Sequence, residues 1–150
     1  MPVLKLVSGG QTGVDRAALE VALALGMACG GWCPRGRRAE DGPIPLRYPL
    51  VETEGGDYAE RTRLNARDSD ATLVLTRGAP TSGTALTIAE ARALGRPFRI
   101  VDLAQAVDAG AVRHWLEQGR VGVLNVAGPR ESAAPGIGAE ARHFLAAVLA

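Results

Sequence analysis

Aromatic residues are scarce in this chain of 150 residues, at 4%, so its core cannot be built around large rings. Apolar residues still make up 47%, and Ala, Leu, Val and Ile must supply the packing, a composition that suits helices laid on a buried parallel sheet. Cysteine is nearly missing as well. Cys29 and Cys33 are spaced neither as CxxC nor as part of a four-ligand set, which predicts two free thiols and argues against a disulfide framework or a structural zinc site. No stretch of about eighteen apolar residues occurs, and the N-terminus lacks a basic start followed by a long apolar run. The expectation is a soluble, cytoplasmic protein with no membrane partner. An excess of either charge is absent too: 17 Lys and Arg face 16 Asp and Glu, which gives no support for a nucleic-acid footprint spread over the whole surface, and no nucleic-acid partner is expected. Any anion site must be local. Lysine is reduced to Lys5, and every other cation is Arg, the side chain suited to planar, bidentate recognition of phosphate and carboxylate.

The length is that of one domain, and no repeat, low-complexity tract or linker divides residues 1–150. Val3 to Ser8 reads as a short buried strand, and Val14 to Leu25 as a helix with an apolar stripe stopped by Gly26. Met27 to Trp32 reads as a second strand. Cys33 to Pro49 loses apolar periodicity and is rich in Pro and Gly, a long surface segment of a kind that is more often functional than idle. A polar helix over Asp57 to Asp68 leads to a strand at Ala71 to Thr76 and a helix at Ser82 to Leu94. A strand at Phe98 to Asp102, a helix from Gln105 to Gln118, a strand at Val121 to Val126 and a helix from Gly138 to Leu149 complete the chain. This alternation predicts an α/β, Rossmann-like three-layer fold with a five-stranded parallel sheet.

Three loops fall where such folds bind ligands, at the carboxyl ends of strands. The first, Ser8-Gly9-Gly10-Gln11-Thr12-Gly13, passes from strand to helix, where glycine lets backbone approach a ligand and helix N–H groups favour phosphate. The second, Gly128-Pro129-Arg130-Glu131-Ser132, repeats the device with a guanidinium added. The third, Ser82-Gly83-Thr84 after Pro80 and Thr81, offers hydroxyls, a glycine and a helix start. Each alone is neither GxGxxG nor a Walker loop and reads equally well as a plain turn.

Longer stretches carry a resemblance: Ser8 to Ala18, Gly31-Trp32-Cys33-Pro34-Arg35-Gly36-Arg37-Arg38-Ala39-Glu40-Asp41-Gly42, the Tyr58, Arg61, Thr62, Asn65 helix leading to Asp68-Ser69-Asp70-Ala71, and Gly128 to Ser132 with Pro135-Gly136-Ile137. In these the chain resembles the molybdenum cofactor carrier proteins, a circularly permuted branch of the Rossmann-like superfamily that also holds the lysine-decarboxylase-like (LOG) nucleotide phosphoribohydrolases. The resemblance spans nearly the whole chain. It implies a homo-oligomer, a tetramer, with Cys33 to Pro49 near a neighbouring subunit's site. It also implies a site for the molybdenum cofactor, a pterin bearing a phosphate, with no directly coordinated metal. The permutation implied puts the last strand mid-sheet, between the first strand and Ala71 to Thr76, with Met27 to Trp32 and Phe98 to Asp102 outermost. The third loop departs from the pattern, which has paired glycines before the threonine. The related hydrolases carry a glutamate three residues after that threonine, and here the position holds Thr87, with Glu90 one turn further on.

Two readings of function stay open: carriage of the phosphorylated pterin, and hydrolysis of the N-glycosidic bond of nucleoside monophosphates. Hydrolysis needs a carboxylate near the sugar. Asp15 and Glu131 are the candidates, both beside helix N-termini, where the dipole is expected to keep them ionised. Asp15 is otherwise a helix-start residue or a partner for ribose or pterin. Arg35, Arg37 and Arg38 read as a clamp for an anion or a neighbouring subunit, or as a solvated loop. Tyr58, Arg61 and Asn65 share one helix face. His114 and His143 lack partners with ligand spacing, so neither is expected to bind metal.

Overall fold

The structure is a computed structural model that describes residues 2–150. Fourteen elements follow one another: β1 (Lys5–Val7), α1 (Val14–Ala24), β2 (Ala28–Gly30), β3 (Trp32–Cys33), β4 (Arg38–Ala39), β5 (Gly42–Pro43), β6 (Val51–Glu52), α2 (Tyr58–Arg67), β7 (Ala71–Thr76), α3 (Ser82–Ala93), β8 (Phe98–Asp102), α4 (Ala109–Gln118), β9 (Val123–Ala127) and α5 (Ile137–Leu149). Five strands form a parallel sheet in the order β2-β1-β9-β7-β8. The last strand in sequence therefore lies at the centre, where Leu124 pairs with Leu6 on one side and Ala71 on the other. This is the permuted order expected from the resemblance, and it brings the loops after β1, β9 and β7 to adjacent positions along one sheet edge.

The sheet is covered on both faces, as a parallel sheet requires. Strand side chains alternate between faces, and Leu6, Leu73, Leu75, Leu124 and Val126 join one apolar core with residues of α1, α4 and α5. The α1 stripe of Val14, Ala17, Ala18, Val21 and Ala22 supplies its share of that core. The opposite face is more polar. Thr72, Thr76 and Asn125 point to it and are buried, and Asn125 Nδ2 donates to Thr72 Oγ1 at 3.2 Å. Here α2 and α3 contribute Thr62, Asn65, Thr84 and Thr87, all buried.

Several boundaries differ from the sequence expectation for physical reasons. The second strand ends at Gly30 because Gly31 has φ 129°, and a side chain there would run into the backbone of Ser8. Trp32–Cys33 then pairs with Val51–Glu52 instead. The fourth helix starts at Ala109, not Gln105, because Asp108 caps it by accepting from Ala111 N at 3.0 Å. The segment read as irregular contains the β4–β5 hairpin. No helix among the described residues is long and apolar enough to cross a membrane.

Candidate functional site

Where the three loops meet, a cavity of about 360 Å³ opens at the carboxyl edge of the sheet. Gln11 lines it from the first loop, Asp15 from the first turn of α1, Thr81 to Thr84 from the third loop, Gly128, Pro129, Arg130 and Ser132 from the second, and Tyr58 and Arg61 from α2. Sequence-predicted residues from all three loops thus share one space. The first turn of α3 is open toward it. Thr81 adopts an extended conformation but its side chain makes no capping hydrogen bond, and a methyl group added at Gly83 would meet no protein atom outside its own turn. Orphan N–H groups of that turn are the natural seat for an anion.

Other predicted residues are engaged with protein. Ser8 is buried, and its Oγ donates to the Asp15 carbonyl at 2.8 Å. Any side chain at Gly9 would overlap the Arg61 guanidinium, and one at Gly10 would overlap Leu50. Gly13, at φ 78°, lies against the backbone of Pro129 to Glu131, and Val14 N donates to Pro129 O at 3.2 Å. Gly128 packs on Leu75 O and Val14. The glycines of the first loop therefore serve close packing between chain segments. Arg35 is exposed and lines no part of the cavity.

The two candidate carboxylates have different fates. Glu131 faces away from the cavity and caps α5, accepting from Gly136 N at 2.5 Å and Gly138 N at 3.0 Å with its two oxygens. Asp15 lines the cavity but is 3% exposed. Its Oδ2 accepts from Gln11 N at 3.3 Å and from Arg61 Nη1 at 3.2 Å. Burial raises the pKa of Asp15, and the Arg61 charge opposes that without cancelling it. The helix dipole therefore does not hold Asp15 in its ordinary ionised range, contrary to the expectation from its position.

Glu40, Arg16 and Asp41, to which sequence reasoning gave no role, join residues it did single out. Glu40 Oε1 accepts from Thr12 Oγ1 at 2.6 Å and from Ser132 Oγ at 3.0 Å, tying the first and second loops together through the hairpin. Those hydroxyl bonds lower the Glu40 pKa. Gln11 Nε2 donates to Arg38 O at 2.9 Å, and Arg16 forms a two-pronged pair with Asp41. The guanidinium carbons of Arg38, Arg61 and Arg130 stand 5.8, 5.7 and 5.7 Å from the Tyr58 ring centroid. Arg130 forms no ion pair within 4.0 Å among the described residues. The sequence singled out each of these residues, Tyr58 and Arg61 on one helix face, Arg38 in the 33–49 segment and Arg130 in the second loop, but not their meeting around one ring.

A larger cavity, of about 710 Å³, lies behind the loops between α1, α5 and the hairpin. Its charged groups are largely committed to one another, as in Arg16–Asp41 and in Glu20 with Arg47 and Tyr48. Among the described residues no group of three or more His, Cys, Asp or Glu side chains is placed to hold a metal ion.

Comparison with known proteins adds two findings. A family model described as the circularly permutated YpsA SLOG family matches residues 6–149. A solved structure from Syntrophus aciditrophicus SB, of a protein named "Putative molybdenum carrier protein", superposes with a TM-score of 0.94 at 38% sequence identity, covering 99% of this chain and 96% of that one. No curated protein matches.

Proposed function

The chain belongs to the circularly permutated YpsA SLOG family, and on that premise we propose that it binds and carries a phosphorylated pterin, the molybdenum cofactor, in the cytoplasm without turning it over. The observation that carries this reading is the cavity of about 360 Å³ into which the uncapped first turn of α3 and the Arg130 loop both open. Helix N–H groups and an unpaired guanidinium are a matched pair for a phosphate, and the volume is that of a small-ligand site. The carrier name of the Syntrophus protein supports the same cargo. The metal on this reading arrives as part of the cargo. Because the Gly9 to Gly13 glycines are covered by protein, the phosphate seat is proposed at Ser82 to Thr84 and Gly128 to Arg130.

Binding is favoured over hydrolysis by the fate of the acids. Glu131 spends both oxygens on α5, and Asp15 is buried against Arg61. The protein is proposed to act as a homo-oligomer, a tetramer, with a small molecule rather than a nucleic acid as its ligand. Calorimetry with a pterin phosphate and with nucleoside monophosphates tests the site. Arg130→Ala removes a charge-assisted bond of about 1.5 to 3 kcal/mol, so affinity is expected to fall by roughly one to two powers of ten. Unchanged affinity refutes the role of Arg130. Chromatography after incubation with AMP, GMP and CMP is expected to show no free base, and release that vanishes in Asp15→Asn overturns the carrier reading.

A further inference from the structure

Three guanidinium groups converge on one ring. The Cζ atoms of Arg38, Arg61 and Arg130 stand 5.8, 5.7 and 5.7 Å from the Tyr58 centroid, so all three positive charges lie within one ring's surroundings. Arg61 is answered by Asp15 at 3.2 Å. Arg38 and Arg130 form no ion pair among the described residues. Glu40 feels the Arg130 charge, but its hydrogen bonds go to Thr12 and Ser132. Like charges brought this close repel, and cation–π contacts at exposed positions return little of that. Cations gathered without an internal counter-ion are placed for an external anion.

The two uncompensated arginines are accessible. Both are exposed, and Tyr58 between them is half-buried. Arg130 and Tyr58 line the cavity of about 360 Å³, whereas Arg38 stands outside that lining. Arg38 is nevertheless held at the rim. Its carbonyl accepts from Nε2 of Gln11, a lining residue, at 2.9 Å, and its Nη2 donates to the Gly56 carbonyl two residues before Tyr58. One nitrogen is thereby engaged, and a guanidinium has five N–H donors to give. A phosphate seated on the first turn of α3 and Arg130 lies inside the cavity, so it is not the anion for which Arg38 is placed. That anion belongs at the mouth, beside Tyr58.

We propose that Arg38 and Arg130 flank a second phosphate subsite beside Tyr58, so that the ligand carries a diphosphate, one phosphate on the α3 seat and the next at the mouth. This rests on the phosphate seat proposed above and adds a second phosphate to its ligand. A diphosphate suits the arrangement because its two anionic groups are joined through one oxygen, which keeps the second beside the first. Arg130, common to the cavity lining and the Tyr58 cluster, can donate to both, and the planar guanidinium fork matches phosphoryl oxygens. The competing account makes Arg38 a solvated surface residue, and it predicts no diphosphate preference that depends on Arg38.

ADP and AMP share a base and a sugar, so comparing them isolates the added phosphate, and pyrophosphate against orthophosphate repeats the comparison without a ring. Calorimetry at constant ionic strength on the wild-type chain is expected to show the diphosphate member of each pair binding at least about tenfold more tightly, the scale of one charge-assisted contact. Arg38→Gln, checked for folding by circular dichroism, is expected to bring each pair to within about threefold while leaving orthophosphate affinity unchanged. Arg35→Gln removes the same charge from the same segment at an exposed residue that lines no part of the cavity, and it is expected to keep the preference. Equal affinity within both pairs, with Arg130-dependent orthophosphate binding intact, overturns the second subsite and leaves the first standing. A preference lost equally in Arg35→Gln is one of diffuse charge and overturns the subsite too. A preference that survives Arg38→Gln overturns the assignment to Arg38. Failure of every one of these compounds to bind overturns both proposals.

Discussion

Asp15 stands in the first turn of α1, where the helix dipole favours a carboxylate, yet burial dominates and raises its pKa above the ordinary 3.8. The folded chain therefore holds this proton over a pH range in which the unfolded chain has released it. Stability from this group is fully present below about pH 3.8 and is lost as pH rises through the folded pKa. Asp15→Asn removes that titration. Urea unfolding at several pH values is expected to show the variant gaining on the wild type as pH rises, on top of the cost of leaving Arg61 without its carboxylate. A difference that does not change with pH shows that the Asp15 carboxyl is unshifted. Glu131 makes the opposite case, a candidate acid that turns out to be a cap. Glu131→Ala is expected to cost about 1 kcal/mol and to lower the melting temperature by roughly 2–4 °C, with phosphate affinity unchanged. Lost affinity at normal stability would return Glu131 to the binding site.

Elements with a strong period were legible. The bounds expected for α1, β7, α3 and β8 fall within one residue of those observed, because each has an apolar pattern and a Gly or polar residue at its end. The central place of β9 was legible only through the resemblance, since no local pattern in Val123–Ala127 says which strands it joins. The hairpin of β4 and β5 escaped, being two residues to a strand and held by side chains distant in sequence. Thr12 and Glu40 are 28 positions apart, and Glu40 and Ser132 are 92 apart. The loop glycines were read for their freedom, but a sequence does not tell whether the atom approaching a glycine belongs to a ligand or, as at Gly9, to Arg61. Glu40 marks the hairpin as a separable unit. Glu40→Ala frees Thr12 and Ser132, and hydrogen exchange is expected to speed up at 38–43 while the sheet amides keep their protection. Uniform protection across both would show that the Arg16–Asp41 pair and the Gln11 bond to Arg38 O hold the hairpin without Glu40.

The whole molecule exposes 7120 Å², close to the roughly 7200 Å² of a compact monomer of its mass, so total surface by itself does not call for a partner. The assembly proposed above needs an apolar anchor, and single exposed apolar residues are ordinary, so the anchor must be argued from its place. Leu46 is 86% exposed, more than any other large apolar side chain among the described residues. It lies in the 33–49 segment, between Ile44 and Pro45, whose carbonyls accept from Arg37, and Arg47 and Tyr48, which bond to Glu20 of α1, so the chain is held on either side of the leucine. A rigidly presented leucine costs little order to bury and is suited to the centre of an interface of about 800 Å² on each partner. Light scattering is expected to give a multiple of 15.6 kDa for the wild-type chain and a shift toward the monomer for Leu46→Asp. Burying the new carboxylate in an apolar contact would cost several kcal/mol. A wild-type mass of one chain at micromolar concentration refutes the assembly, and an oligomer untouched by Leu46→Asp places the interface elsewhere.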